Sequence, residues 1–324
     1  MDFGSSSYIE QFTWSGNGVH TGDGETPYST TGLIAQWDLN ESSGTTAVSG
    51  GSCGTSCNGT LANFSNTSGQ DVVAGSGWTN DNRKWGTGAL MFDNTDDKVD
   101  VSDNQDLRLT TGGSISAWIY PTYLGSGTAP RILDKSVDTS GTNGFLFALL
   151  GSTKSLAFRV NGGTQTDSFN DVIKLGEWQN VVVTFNGSAR KLYVNGVEVT
   201  SSGGDQTGLP PDVSGGIAIG NRAGNTDRAF PGIIDSVSMY NRVLSEAEII
   251  SNYQSGNIEF QYRSSTDGST WGDWMGGTEV SIDDMDDSAA SWSVVGGSVL
   301  SDSNESILTM EGAGSLKIEG DYSS

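Results

Sequence analysis

The chemistry open to this chain rests on carboxylates and side-chain amides, because histidine and cysteine are nearly absent. Asp93, Asn94, Asp96 and Asp97 crowd one short segment, Asp38 and Asn40 stand near the first strand-like run, and Asp235 interrupts an apolar one. Calcium takes roughly six to eight oxygen ligands from such groups, backbone carbonyls and water, and loops at strand ends supply them. Asp235, Asp93, Asp97 and Asp38 are therefore the candidate ligands of a structural calcium ion. Asp235 is the principal one, since a carboxylate in an apolar row needs a cation or several hydrogen bonds to offset its desolvation. The alternative is that Asp235 accepts backbone N–H bonds and that the Asp-rich turn merely caps a hairpin.

Catalysis finds less support. Glycoside hydrolysis needs two carboxylic acids flanking the scissile bond, and Glu177 and Glu198 stand at separate strand ends as solvated edge residues. His20 is the sole histidine and lies in a Gly-rich arm, so no Ser-His or Cys-His arrangement forms. Ligand binding without catalysis is the better-supported chemistry. Trp78, Trp85, Tyr123, Phe169 and Phe230 fall in loop-like segments where rings can stack on sugar faces. Asn143, Arg222, Asn225, Asp227 and Arg228 can add polar contacts; each of these residues has the commoner alternative of a loop anchor. Trp37, Trp118 and Trp178 lie in β-patterned segments and are expected in the core.

The elements that must position these groups are short strands. Gly232 to Gly256 joins one strand to one helix: Ile233, Asp235, Val237 and Met239 share a side by strict alternation, with Ser236 and Ser238 opposite. Ser245 stands three residues before Glu248, the capping-box spacing, and Gly256 supplies a stop, so a short helix carries Ile249, Ile250 and Tyr253 inward. Gly88–Asn94 and Lys98–Val101 read as strands around the acidic turn, and Gly113–Pro121 alternates with Ile115, Ala117 and Ile119 on one side. Between Glu177 and Thr200, three β-rich segments are separated by Asn186-Gly187 and Asn195-Gly196, which favour tight hairpins.

These pieces resemble the laminin-G-like branch of the concanavalin A-like lectin and glucanase superfamily. The matching elements are Trp37 to Gly44, Asn58-Gly-Thr-Leu61, Gly88 to Asp93, Ser114 to Trp118, Glu177-Trp178, Leu192 to Gly196, and Gly232 to Asp235 continuing through Glu248. They follow the family's order over about two-thirds of the chain. The resemblance implies an all-β, two-sheet antiparallel jelly-roll sandwich with one short C-terminal helix, and calcium bound near the residue matching Asp235. Fold-mates that hydrolyse β-glucans carry Glu-x-Asp-x-x-Glu on one strand, and no such string occurs here. The ligand stays open, because this fold hosts lectins, adhesion modules, enzymes and spacers.

Sixteen basic against thirty-nine acidic residues leave a formal charge of −23 over 324 residues. Such a charge repels phosphates and anionic lipid, which argues against nucleic acid as a partner, and chiefly keeps the surface solvated. No apolar run approaches the roughly eighteen residues of a membrane span, and the first residues lack the build of a signal peptide. Cys53 and Cys57, the only cysteines, lie close enough in a Gly- and Ser-rich loop to form a small disulfide ring worth about 2 kcal/mol. Two thiols of a reducing compartment are the alternative, and a zinc site would lack ligands.

Three segments are expected: an arm or linker over 1–31 with Tyr8, Phe12 and Trp14, the jelly roll over 32–256, and a β-rich segment over 257–324. In the last, Ser264–Trp271 resembles a sialidase-type Asp-box, a structural hairpin, though it lacks the residue usual between Asp and Gly. Trp271 and Trp274 precede the acidic stretch Ile282–Ser288. Ser291–Gly320 resembles the opening strands of a carbohydrate-binding jelly roll and stops before closing one, as in one section of a longer surface protein. The expectation is a non-catalytic, extracellular recognition or adhesion module for a glycan or cell-surface ligand, with a rim-loop site. A structural spacer contacting other domains or copies of the same surface protein is the alternative, and a glycoside hydrolase the third choice.

Overall fold

The computed structural model describes residues 25–69, 75–136, 143–163, 165–204 and 207–255, Thr270, and the strands at 8–17, 257–265, 275–281, 307–311 and 315–319. His20, Gly256, Trp271, Trp274 and Ile282–Ser288 lie outside the described residues. In chain order the strands begin with β1 (Tyr8–Asn17), β2 (Leu33–Trp37), β3 (Thr46–Ala47), β4 (Gly59–Ala62), β5 (Gly77–Thr79), β6 (Ala89–Asp93), β7 (Lys98–Val101), β8 (Gly113–Pro121) and β9 (Arg131–Asp134). They continue with β10 (Phe145–Leu150), β11 (Ser155–Val160), β12 (Thr166–Ser168), β13 (Gln179–Phe185), β14 (Arg190–Val194), β15 (Val197–Glu198), β16 (Thr200–Gly204), β17 (Ile217–Ile219) and β18 (Pro231–Tyr240). The helix α1 (Glu246–Gln254) and strands β19 (Asn257–Ser265), β20 (Met275–Ser281), β21 (Ile307–Glu311) and β22 (Ser315–Glu319) complete the order.

The chain divides into two compact units. Of the described residues, one holds 25–255 and the other gathers most of β1 and β19 with β20, β21 and β22. In the latter, β1, from the segment expected to be an arm, joins a three-stranded sheet in the order β1-β19-β20, and β21 pairs with β22. The former is the expected sandwich. Its sheets run β16-β12-β11-β10-β9-β17-β7-β4-β3 and β15-β14-β13-β8-β18-β6-β5, with β2 paired to β18, and their ladders are antiparallel. No helix among the described residues is long and apolar enough to cross a membrane.

Alternation builds the core. Phe145, Phe147 and Leu149 of β10 and Leu156, Phe158 and Val160 of β11 meet Ile115, Ala117 and Ile119 of β8 and Val181, Val183 and Phe185 of β13 between the sheets. The Phe158 and Phe185 rings stack across the interface at 4.8 Å. Asn195 and Gly196 both take positive φ, 50° and 78°, closing the β14–β15 hairpin as the Asn-Gly pair requires. The Cys53–Cys57 disulfide is present, and the Cys57 carbonyl accepts the Trp37 indole N–H at 2.9 Å, tying the small ring to the core.

Three sequence expectations change. The acidic turn does not cap a hairpin: β6 belongs to the eight-stranded sheet and β7 to the nine-stranded one, so the turn carries the chain between layers. The capping box of Ser245 and Glu248 starts α1 as expected, and Ile249 is buried, but Ile250 is 36% exposed and Tyr253 lies against the outward face of Trp118 at 5.9 Å. On β18, a bulge between Asp235 and Ser238, with Ser236 at φ 45°, breaks the strict alternation. Ile234, Val237 and Met239 therefore face the core, while Asp235 pairs opposite Trp118 on the outer face.

Gly220 anchors the loop that follows β17. Its N–H donates to Ile132 and its carbonyl accepts from Phe230, at φ 79°, and an added Cβ would lie 2.0 Å from the Phe92 ring. Gly220→Ala is expected to cost about 2–5 kcal/mol by combining left-handed strain with overpacking; urea denaturation followed by tryptophan fluorescence measures it.

Candidate functional site

The residues that face away from the core on β9, β10 and β11 form a cavity of about 210 Å³ on the outer surface of the nine-stranded sheet. Strand register lays out its floor. Ala148 pairs with Arg131 on one side and Ala157 on the other, and Leu146 pairs with Asp134 and with Arg159. The alanines leave space that larger side chains would fill, and guanidinium-bearing chains wall it. Arg131, Arg159, Arg222 and Arg228 all line this cavity, four of the nine arginines in the chain.

Each arginine is held by its neighbours. The Arg131 Nε donates to Asp134 Oδ2 at 3.0 Å and its Nη1 to the Ala129 carbonyl at 2.7 Å. Asp134 Oδ1 accepts from the Ser136 N–H and hydroxyl and from the Ala223 N–H, so this buried carboxylate fixes both strand and loop. Asp227 reaches Arg222 at 3.2 Å and Arg228 at 3.5 Å. Burial pushes the Arg131 pKa down to about 10; Asp134 opposes this, while the charges of Arg222 and Arg159 add to it.

Asn221, fully buried, folds the loop that delivers two of these arginines. Its Oδ1 accepts from the N–H groups of Arg222 and Arg228 at 2.8 and 3.0 Å, and its Nδ2 donates to the Asp97 carbonyl at 3.1 Å. Asp97 thereby joins the acidic turn to the cavity. Its carboxylate takes the Asp93 N–H and the Ser76 hydroxyl, and burial, reinforced by the Asp93 charge, raises its pKa to about 7.

The candidate metal residues fall in two places. Asp93, Asp96 and Asp97 each offer an oxygen within 4.8 Å of the others. Asp235 and Asp38 lie elsewhere. Asp235 is fully buried, its Oδ2 accepting the Lys84 and Trp85 N–H groups at 2.9 and 3.1 Å, the hydrogen-bonded alternative raised by the sequence. Burial lifts its pKa to about 7, the two backbone donors oppose that, and the charge of Asp38 adds to it. Asp38 is half-buried and accepts from the Gln36 amide. It borders a second hollow, of about 480 Å³, where Glu25 accepts from Asn40 at 2.8 Å.

The expected aromatic rim keeps Tyr123 and Phe169 and loses the other three. Trp78, Trp85 and Phe230 are interior: Trp78 donates its indole N–H to the Gly44 carbonyl, Trp85 packs edge-on to Trp118, and Phe230 edge-on to Phe92. None of the three can stack on a ligand. Tyr123 and Phe169 are each 57% exposed, Asn143 is half-buried ahead of β10, and Asn225 and Asp227 are exposed in the arginine loop. Trp37 is core, but Trp118 is buried on the outer face and Trp178 only half-buried, tilted against Tyr120 at 5.6 Å. Glu198 pairs with Lys191 and Glu177 is exposed. Arg131 and Arg159 were missed, although Arg131-Ile-Leu-Asp134 and the lone charge in Ser155–Val160 mark strands with one charged face.

Residues 93–250 match a laminin G family model of the concanavalin A-like lectin/glucanases superfamily. No curated protein matches the chain. Domain 4 of an extracellular arabinanase from Geobacillus stearothermophilus, solved with arabinotriose, is similar at 18% identity and a TM-score of 0.46, covering 68% of this chain and 98% of that one. A mutant Trypanosoma rangeli sialidase is similar at 16% identity and 0.46, and the match spans only 33% of its length. The receptor-binding domain of a botulinum neurotoxin mosaic serotype C/D gives 14% and 0.47, over 69% of this chain and 51% of that one.

Asp235 makes stability pH-dependent. Its folded pKa is raised above the ordinary 3.8 to about 7, so the stability it contributes is fully present below about pH 4 and lost as pH rises through about 7. Asp235→Asn keeps an oxygen for the Lys84 and Trp85 donors and removes the titration. Unfolding free energies from urea titrations between about pH 5 and 7 should fall less steeply for the variant, by a slope approaching 1.4 kcal/mol per pH unit; equal slopes would contradict the assignment.

Proposed function

We propose that this concanavalin A-like sandwich is a non-catalytic carbohydrate-recognition module of an extracellular surface protein, binding through the cavity on the nine-stranded sheet. The observation that carries the reading is a concave recess on the sheet face, walled by Arg159, Gln165, Arg222 and Arg228. Ala148 and Ala157 lie fully buried beneath it, so the lining open to a ligand is chiefly the polar set Arg159, Gln165 and Arg228 beside half-buried Ala129 and Leu150, at a volume suited to one sugar-sized group. Its carboxylates are tied to arginines, which suits them to holding donors in place rather than transferring protons. The buried positions of Trp78, Trp85 and Phe230 move the proposed site from the rim to this face.

The test is a screen of the full chain against neutral and acidic glycans, with Ala129→Trp placed at the half-buried cavity margin. Blocking the recess should weaken binding at least about tenfold, with the circular dichroism spectrum unchanged. Weakening by Tyr123→Ala with Ala129→Trp silent would return the site to the rim loops. A regular polymer with this face covered, and no glycan bound, would favour the spacer and assembly role.

A structural calcium ion at Asp93, Asp96 and Asp97 is a second proposal, supported by three carboxylates that converge where the chain crosses between sheets. Those oxygens are the hard donors that calcium prefers. Its chemistry would be charge neutralisation of the turn, with Asp97 holding Asn221 and the arginine loop. Excess calcium should raise the melting temperature by about 2–4 °C over chelator-treated protein, and Asp93→Asn with Asp96→Asn should abolish the rise; an unchanged melting temperature in the parent chain rejects the ion.

A further inference from the structure

The hollow that Asp38 borders is built between two segments that other elements hold in place. Alternation along β2 and just past it sends Trp37 and Leu39 to the core and leaves Gln36 and Asp38 together on the outer side of the eight-stranded sheet. One wall, Gly50 to Ser52, is clasped to β2. The Gly50 N–H donates to the Gln36 carbonyl at 2.8 Å and the Ser52 N–H to the Leu33 carbonyl at 3.2 Å, and the Cys53–Cys57 disulfide closes the loop just beyond. The other wall, Glu25 to Thr30, is tied to β2 and α1: the Glu25 carbonyl accepts from the Gln36 amide at 2.9 Å, and the Tyr28 N–H donates to Asn252 at 2.8 Å. The space between them measures about 480 Å³, inside the roughly 300–1,000 Å³ of sites that hold small organic ligands.

The lining is accessible and rich in oxygen. Thr26, Thr30 and Ser52 are exposed, and Glu25, Pro27 and Asp38 are half-buried. Gln36 is 8% exposed. Its Nε2 donates to the Glu25 carbonyl and to Asp38 Oδ1, which fixes the amide, while its Oε1 accepts no hydrogen bond from the described residues. A carboxylate has about four acceptor sites, so Asp38 can take a ligand hydroxyl while it holds Gln36. Among the described residues no lysine or arginine lines the hollow, so an anion finds no cation there. Nor does it gather a third carboxylate: the acidic groups that converge within 4.8 Å of one another are Asp93, Asp96 and Asp97. We infer that the hollow is a second ligand site, on the opposite sheet from the recess, for a neutral, hydroxyl-rich ring such as a sugar unit of a polysaccharide. Ring hydroxyls donate to Asp38 and to the Gln36 oxygen and accept from Thr30 and Ser52, and Pro27 gives the ring's C–H face an apolar contact. The site does not require the recess to bind sugar.

Calorimetric titration of the full chain carrying Ala129→Trp, with chelator present, isolates the hollow by blocking the recess. The probes are cellotriose, xylotriose, mannotriose, and chitotriose in its N-acetylated and free-amine forms. At least one neutral trisaccharide should still bind, and Ser52→Trp or Thr30→Trp, at exposed positions on the two walls, should each weaken it at least about tenfold with the circular dichroism spectrum unchanged. Asp38→Asn, which keeps an oxygen for the Gln36 amide, should weaken it about tenfold by removing the charged acceptor. Saccharide binding to the parent chain that Ala129→Trp abolishes would overturn the second site and leave the recess reading intact. Binding that survives Ala129→Trp but ignores both wall variants would overturn it too, by placing the sugar elsewhere. Free-amine chitotriose bound at least about tenfold more tightly than its N-acetylated form would overturn the neutral ligand class in favour of ammonium recognition. No saccharide bound by the parent chain would remove both sites.

Discussion

The period-two alternation of β10 and β11 is the constraint on which the molecule turns. Every aromatic that these strands send inward obliges the neighbouring residue to face out, so Phe145, Phe147 and Phe158 in the core fix Leu146, Ala148, Ala157 and Arg159 on the far side. A shift of one residue would put Arg159 between the sheets and three aromatics in water. Core packing and the recess are therefore one commitment. The stack of Phe158 on Phe185 locks the strand that carries Arg159, and the site inherits its rigidity from the interior.

The loop arginines depend on a different chain of causes. Gly220 lets the backbone turn against Phe92, Asn221 gathers the amides of Arg222 and Arg228, and Asp97 anchors Asn221 from the crossover between sheets. The carbonyl of Arg228 accepts from the Arg131 N–H at 2.9 Å, sewing the loop to β9. The Asp97 carbonyl holds Asn221, while the buried carboxylates of Asp97 and Asp134 hold the Asp93 N–H, the Ser76 hydroxyl, Ser136 and the Ala223 N–H. Burying them is costly, and a buried ion pair such as Arg131 with Asp134 is weak ground for stability in itself. What the pair does secure is one orientation of a guanidinium at the edge of an apolar floor.

Much of this architecture was legible in the sequence, and the misses share one cause. Asn195-Gly196 and the Ser245/Glu248 box are local signals, and both appear where the residues demand them. The core rows of β8 and β13 follow from alternation alone. Asp235 was assigned to the wrong face because a bulge at Ser236 changes parity, and nothing in Ile233–Met239 announces it. Trp78, Trp85 and Phe230 read as loop aromatics because their segments lack strand periodicity, yet Trp78 sits in the three-residue strand β5 and the loop rings of Trp85 and Phe230 fold over the sheets and are buried there. The arginine recess stayed hidden for a related reason. Its members come from β9, β11 and the loop after β17, and only strand order brings them together.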